Sequence, residues 1–173
     1  MPKSRDVETG KRLLDHVERG TTDVADAVVR VPVFHYLDPD LWAREMRTLF
    51  KRLPLMLAFS SEVSEVGAYR AIDVVGVPVL IVRGSDGIVR AFFNACRHRG
   101  SRLVAEGTGE CGRIVCPYHA WTYDNQGQLV GVFKPQQFGD IDRATHGLKE
   151  LPCEELVGLI FVSLWPDSPM NVR

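Results

Sequence analysis

No stretch of this 173-residue sequence approaches the about 18 to 20 continuous apolar residues of a membrane-spanning helix. Its longest apolar run, Val74 to Val82, is interrupted by Gly76 and Pro78, so no membrane partner is expected. An excess of one charge is also missing: 21 Lys and Arg stand against 22 Asp and Glu, a formal net charge of -1. Nucleic-acid affinity comes chiefly from basic side chains that neutralise phosphates, so no nucleic-acid partner is expected either. The charged start, Met1-Pro2-Lys3-Ser4-Arg5-Asp6, is not followed by the apolar core of a secretory signal, which points to the cytoplasm. Cysteine is sparse, four in all, and a chain of this length buries a core without disulfide staples. In a reducing compartment such cysteines more often bind metal or do redox chemistry, so their placement becomes the question.

Residues 1 to 30 are polar and carry a short helical signal at Leu13, Leu14 and Val17, closed by Gly20. A stronger helix is expected from Asp38 as N-cap, with Pro39 at its first position, to about Leu53. Trp42, Met46, Leu49, Phe50 and Leu53 fall on one face, which is expected to pack into the core. From residue 55 the period becomes strand-like. Strands are expected at 69–75, 77–82, 88–94, 113–116, 120–123, 129–132 and 159–164, with tight connections at Gly84-Ser85-Asp86-Gly87 and Asp124-Asn125-Gln126-Gly127. Many short strands with frequent turns indicate a mainly β fold, an antiparallel sandwich or barrel behind a helical arm.

Two clusters carry the chemistry, Cys96-Arg97-His98 and Cys116-Pro117-Tyr118-His119. On extended chain, residues i and i+2 project to one side, so Cys96 and His98 can address one centre. Pro117 bends the second cluster so that Cys116 and His119 converge. A structural zinc finger usually pairs two cysteines on one turn with two histidines from a helix. Here each loop brings one of each, which suits a binuclear centre: Cys96 and Cys116 on one iron, His98 and His119 on the other. That is Rieske ligation of a [2Fe-2S] cluster. A structural zinc-binding module is the alternative that the pairing disfavours.

The run Asn94-Ala95-Cys96-Arg97-His98-Arg99-Gly100, then Cys116 to Asp124 and Gly127-Gln128-Leu129, resembles the Rieske domain of ring-hydroxylating non-haem iron oxygenases, alpha-subunit type. The resemblance is sharpest over residues 90–133. It implies a Rieske-type antiparallel β-sandwich at 55–167 with a two-loop cluster-binding subdomain, a helical arm at 1–54, and at 168–173 the start of a linker to a missing catalytic domain. It further implies electron transfer from a ferredoxin or reductase to a mononuclear Fe(II) in that catalytic domain, of the same or a neighbouring subunit, in a homo-trimer. His98 or His119 would hydrogen-bond a carboxylate on the neighbour, and the expected substrates are aromatic or related apolar compounds. A free-standing Rieske ferredoxin is the other alternative, against which the long arm argues. Ser101, Tyr118 and Trp121 stand where respiratory-type Rieske proteins carry two clamping cysteines and a serine that hydrogen-bonds sulfur, so the expected potential lies low, about -150 to 0 mV.

Cys111 and Cys153 match no ligand position and are expected as free thiols. Gly107-Thr108-Gly109-Glu110-Cys111-Gly112 spells a dinucleotide fingerprint, but β-branched, proline-bounded chain follows it where a helix is required. It is expected to be a flexible loop. Arg97, Arg99 and Arg102 either raise the potential and dock an acidic donor or pair with nearby carboxylates. His16, His35 and His146 assemble into no iron-binding triad and are expected as surface or capping residues. Trp121 and Tyr118 are expected to pack and to limit solvent access.

Overall fold

Helical period dominates the first part of the chain and strand period the rest, and the computed structural model, which describes residues 4–172, divides accordingly into two units, Met1–Asp38 and Pro39–Arg173. In the first unit α1 (Ser4–Arg19) has 16 residues, more than the short helix the sequence predicts. Its end is sealed by His16, whose backbone carbonyl accepts from the Thr21 amide at 2.9 Å and whose ring bonds the Thr21 hydroxyl and the Asp23 carboxylate. A single helical turn, α2 (Phe34–Leu37), closes the unit, and His35 stacks on Phe34.

The second unit opens with α3 (Pro39–Glu45), which runs directly into a wider π-type turn at Met46–Phe50. The expected burial of its apolar face does not occur: Trp42, Leu49, Phe50 and Leu53 are all exposed. The wider winding takes the later residues off the line that a 3.6-residue period draws, and the Trp42 ring lies 6.3 Å from the Phe50 ring. The end of the helix is tied down instead by Arg52, whose carbonyl accepts from the Ser168 hydroxyl at 2.9 Å and whose guanidinium lies 4.1 Å from the Trp165 ring.

Among the described residues eleven strands form three antiparallel sheets. The central sheet has the order β5-β2-β3-β4-β9, from β2 (Ala68–Val74), β3 (Val77–Arg83), β4 (Val89–Phe93), β5 (Gly107–Glu110) and β9 (Glu150–Leu151). On one side lies β1-β11-β10, built from β1 (Leu55–Phe59), β10 (Cys153–Leu156) and β11 (Leu159–Val162). The third sheet, β6-β7-β8, comprises β6 (Arg113–Val115), β7 (Thr122–Asp124) and β8 (Leu129–Gly131). The hairpin β2–β3 turns on Val75 and Gly76, both at positive φ, which keeps the strand twist and pairs Val74 with Val77.

Strand β3 explains the layering. Leu80 and Val82 point into one cluster with Phe92, Ile114, Trp121 and Tyr123, whereas Val79 and Ile81 point into another with Ala58, Ile160 and Val162. A strand buried on both faces needs a continuous apolar run, which is why 77–82 does not alternate. The segment expected as a flexible loop is instead an edge of the central sheet: Gly107 to Glu110 pair with Ala71 to Ala68. A Cβ on Gly109 would sit 2.7 Å from the Tyr69 hydroxyl, so glycine is required there by the side chain lying across the strand.

Candidate metal centre

Two loops present the Cys and His clusters, one after β4 and one between β6 and β7, and they repeat one hydrogen-bond pattern. The Cys96 amide donates to the Ser101 carbonyl and the Cys96 carbonyl accepts from the Gly100 amide, both at 2.8 Å. The Cys116 amide donates to the Trp121 carbonyl at 2.8 Å, and its carbonyl accepts from the Ala120 amide at 3.0 Å. Each loop therefore closes one residue past a left-handed position, Gly100 at φ +72° and Ala120 at φ +54°. Glycine takes that conformation freely, whereas alanine carries steric cost there.

The first loop is held from inside by Asn94, which is 1% exposed. Its amide nitrogen donates to the Val104 carbonyl at 2.8 Å, and its side-chain oxygen accepts from the Leu103 and Val104 amides at 3.1 and 3.2 Å. Sequence reasoning quoted Asn94 as part of a motif without a role. The second loop is held by the ladder around it, with Ile114 opposite Tyr123 and Val115 opposite Thr122.

The four candidate donors arrive from these loops as two kinds. Cys96 and Cys116 are buried, and burial pushes the Cys96 thiol up, with Cys116 beside it adding to the rise. The rings of His98 and His119 lie 4.8 Å apart at 71°. Burial lowers the basicity of His98, and the nearby His119 and Arg99 lower it further, which keeps the ring neutral and its lone pair available. Trp121 stacks on His98 at 5.1 Å and 11°, Phe138 meets the same ring edge-on at 5.1 Å, and Tyr118 leans on His119 at 3.8 Å. His146 packs edge-on against Trp121 at 5.9 Å and bonds the Asp142 carbonyl at 2.7 Å through Nδ1.

Tyr123 is the functional residue that sequence reasoning left without a role. It is fully buried, its hydroxyl accepts from the Arg97 amide at 3.0 Å, and that hydroxyl lies 3.3 Å from Cys96 Sγ. Burial raises the phenol above its ordinary range, so it remains a donor. The visible signal was the alternation of β7, which turns Tyr123 inward between the outward Thr122 and Asp124.

Of the three arginines, Arg102 is neutralised by Asp73 at 3.3 Å and Glu106 at 3.0 Å. Arg99 donates to the Tyr118 hydroxyl at 3.4 Å. Cys111 and Cys153 are free thiols, and burial pushes Cys153 up to about 12.

A metal–sulfur group fits these residues. His119 Nδ1 is buried and has no hydrogen-bond partner, a costly state that a ligand bond relieves. Among the described residues no three His, Cys, Asp or Glu side chains gather in the manner of a single-ion site. Two Cys and His pairs, one from each loop, suit a binuclear iron–sulfur group, which Cys96, His98, Cys116 and His119 would hold.

The family description "Rieske [2Fe-2S] domain" matches residues 54–152. The glycine betaine monooxygenase oxygenase subunit of Chromohalobacter salexigens is 39% identical over 140 residues, covering 80% of this chain and 31% of that protein. Among solved structures, the quaternary ammonium Rieske monooxygenase CntA superposes with a TM-score of 0.74 at 29% identity, covering 83% of this chain and 40% of that one. Naphthalene 1,2-dioxygenase from Rhodococcus sp. superposes with a TM-score of 0.74 at 29% identity, covering 98% of this chain and 38% of the other. The chain thus spans less than half the length of each of these relatives.

Proposed function

The chain belongs to the Rieske [2Fe-2S] domain family, and from that premise we propose that it is the electron-transfer domain of a Rieske non-haem iron oxygenase. Cys96 and Cys116 hold one iron as thiolates, and His98 and His119 hold the other through ring nitrogens. The observation that carries this reading is the repeated loop geometry, which delivers one buried cysteine and one histidine from each loop, together with the orphaned Nδ1 of His119. When bound, the group supplies a one-electron carrier whose potential histidine ligation raises. The protein's own residues do the rest. A Cys96 thiolate that holds iron carries no proton, so the Tyr123 hydroxyl, which accepts from the Arg97 amide, would donate to Cys96 Sγ and favour the more negative reduced state. Trp121 and Phe138 cover the His98 ring and limit the access of water to it.

In this reading residues 55–167 are the electron-transfer domain, 1–54 the arm before it, and 168–173 lead toward a catalytic domain. Electrons come from a ferredoxin or reductase and pass to a mononuclear iron in the same or a neighbouring subunit of a homo-trimer. The aromatic or related apolar substrate that the family resemblance implies widens, because the matched relatives are named for quaternary ammonium compounds as well as for naphthalene. A quaternary ammonium or an aromatic compound is the substrate class of the whole protein, chosen outside this domain.

The test is a metal and sulfide count with absorption and electron paramagnetic resonance spectra. The expected result is two irons and two acid-labile sulfides per chain with the low average g of mixed Cys and His ligation. His119→Ala and Cys116→Ala each abolish that signal. A colourless protein carrying one zinc overturns the reading in favour of a structural module.

A further inference from the structure

The two loops follow one template at a constant offset of 20 residues: Cys96, Gly100 and Ser101 correspond to Cys116, Ala120 and Trp121 and make the same two backbone hydrogen bonds. The histidines sit one place out of step, at 98 and 119. In an antiparallel ladder, hydrogen-bonded pairs recur at every second residue. Two residues outward from Cys116 and Trp121 the ladder continues, with Ile114 opposite Tyr123. The same step outward from Cys96 and Ser101 reaches Asn94 and Leu103, and here the ladder is interrupted. β4 ends at Phe93, and the Asn94 backbone amide is already used, donating to the Pro78 carbonyl on β3 at 2.8 Å.

The Asn94 side chain stands in for the missing rung. A primary amide carries the donor and the acceptor of a peptide group. Its nitrogen donates to the Val104 carbonyl at 2.8 Å and its oxygen accepts from the Val104 amide at 3.2 Å, so the two residues exchange a pair of bonds as ladder partners do. The same oxygen accepts from the Leu103 amide at 3.1 Å. An ionised aspartate of this size cannot donate, and leucine can do neither. The neck so closed encloses Cys96 and His98, and it sets the Arg97 amide 3.0 Å from the Tyr123 hydroxyl. Leu103 packs in the same core as Cys96 and Tyr123. Asn94 and Leu103 are both buried, so loss of the side-chain amide strands polar groups away from water.

We propose that Asn94 is a positioning residue for the candidate centre: its side-chain amide closes the neck of the first loop in place of a backbone rung and so fixes where Cys96 and His98 present their donor atoms. The proposal rests on the electron-transfer reading above and assigns a further residue to that site. Asn94 acts through Leu103 and Val104, which return the chain from the loop. The second loop needs no such residue, because Ile114 and Tyr123 complete its ladder.

The test compares the cluster-loaded parent with Asn94→Leu, Asn94→Asp and Ile160→Ala. Ile160 is buried in the core that touches no candidate ligand, so its truncation reports on lost stability alone. In the parent, hydrogen exchange resolved to single residues should show the Leu103 and Val104 amides protected at least a hundredfold over that of the exposed Arg99. Asn94→Leu should speed exchange over residues 95–104 at least tenfold and change residues 113–124 less than twofold. The same variant should lose iron to a ferrous chelator at least tenfold faster after reduction and shift the g values of the reduced cluster. Ile160→Ala should leave those g values at the parental ones. Asn94→Asp keeps the two accepted bonds and loses the donated one, so it should speed exchange over 95–104 at least threefold, and it carries the comparison if Asn94→Leu does not fold. Unprotected Leu103 and Val104 amides in the parent overturn the proposal whatever the variants do. Parental exchange and g values in Asn94→Leu, or equal quickening in both loops, overturn it as well. A colourless parent overturns the electron-transfer reading, and the exchange comparison, which needs no cluster, still decides whether Asn94 closes the neck.

Discussion

At the scale of single residues the centre depends on side chains that never touch solvent. Tyr123 is the clearest case, because its hydroxyl accepts from the Arg97 amide and lies 3.3 Å from Cys96 Sγ, to which it would donate once Cys96 is a thiolate. Hydrogen bonds to cluster sulfur stabilise the reduced, more negative state. Tyr123→Phe should therefore lower the reduction potential by tens of millivolts, at about 40 mV for each kcal/mol of difference between the two redox states. A spectroscopic redox titration measures it, and an unchanged potential with an intact spectrum counts against the assigned hydrogen bond. This hydroxyl also bears on the low potential expected from Ser101, Tyr118 and Trp121. Trp121 Nε1 is buried without a hydrogen-bond partner among the described residues, whereas the Tyr123 hydroxyl lies 3.3 Å from the sulfur of a candidate ligand.

At the scale of elements, the central sheet and the β1-β11-β10 sheet are fastened by an ion pair as well as by apolar packing. Arg83 at the end of β3 grips Glu155 on β10 with two guanidinium nitrogens, at 2.9 and 3.2 Å, and also donates to the Val63 and Gly87 carbonyls. That grip holds the Glu155 carboxyl below its ordinary range. A depressed carboxylate contributes stability that is fully present above its unfolded-state pKa and is lost as the pH falls through its folded one. Glu155→Gln should cost about 1 kcal/mol at pH 7, and the gap between parent and variant should close as the pH is lowered from about 5 through the depressed range. Urea unfolding at a series of pH values measures this, and a gap independent of pH contradicts it.

At the scale of the molecule, the two cores on either face of the central sheet predict unequal dependence on the cofactor. One contains Cys96, Cys116, Trp121 and Tyr123, whereas the other is made of Val79, Ile81, Ile160, Val162 and their neighbours and touches no candidate ligand. A group bound only by the folded state stabilises it by mass action. Stripping the iron with a chelator under reducing conditions should lower Tm by at least about 5 °C. Hydrogen exchange should quicken most in β6, β7 and β8 and least in β1 and β11. Uniform quickening in both cores would contradict the division.

How much of this was legible beforehand differs by feature. Ligand chemistry is local: the donor types at Cys96, His98, Cys116 and His119 and their spacing identify the kind of centre, because few groups take one thiol and one imidazole from each of two loops. Strand positions from 69 to 94 were equally open, since apolar period and turn residues are properties of neighbouring positions. Three matters waited for the fold. The glycine run at 107–112 became a sheet edge because β2 lies beside it and Tyr69 crosses Gly109, a contact between residues far apart in sequence. The expected apolar helix face stayed exposed at Trp42 and Leu49, and the turn at Met46–Phe50 is wider than the period assumes, which takes Leu49 and Phe50 off the line of Trp42. Tyr123 acquired its hydrogen bonds, and Arg102 its carboxylates while Arg97 kept none, because burial and pairing are decided by what the chain brings alongside, and no residue carries that information alone.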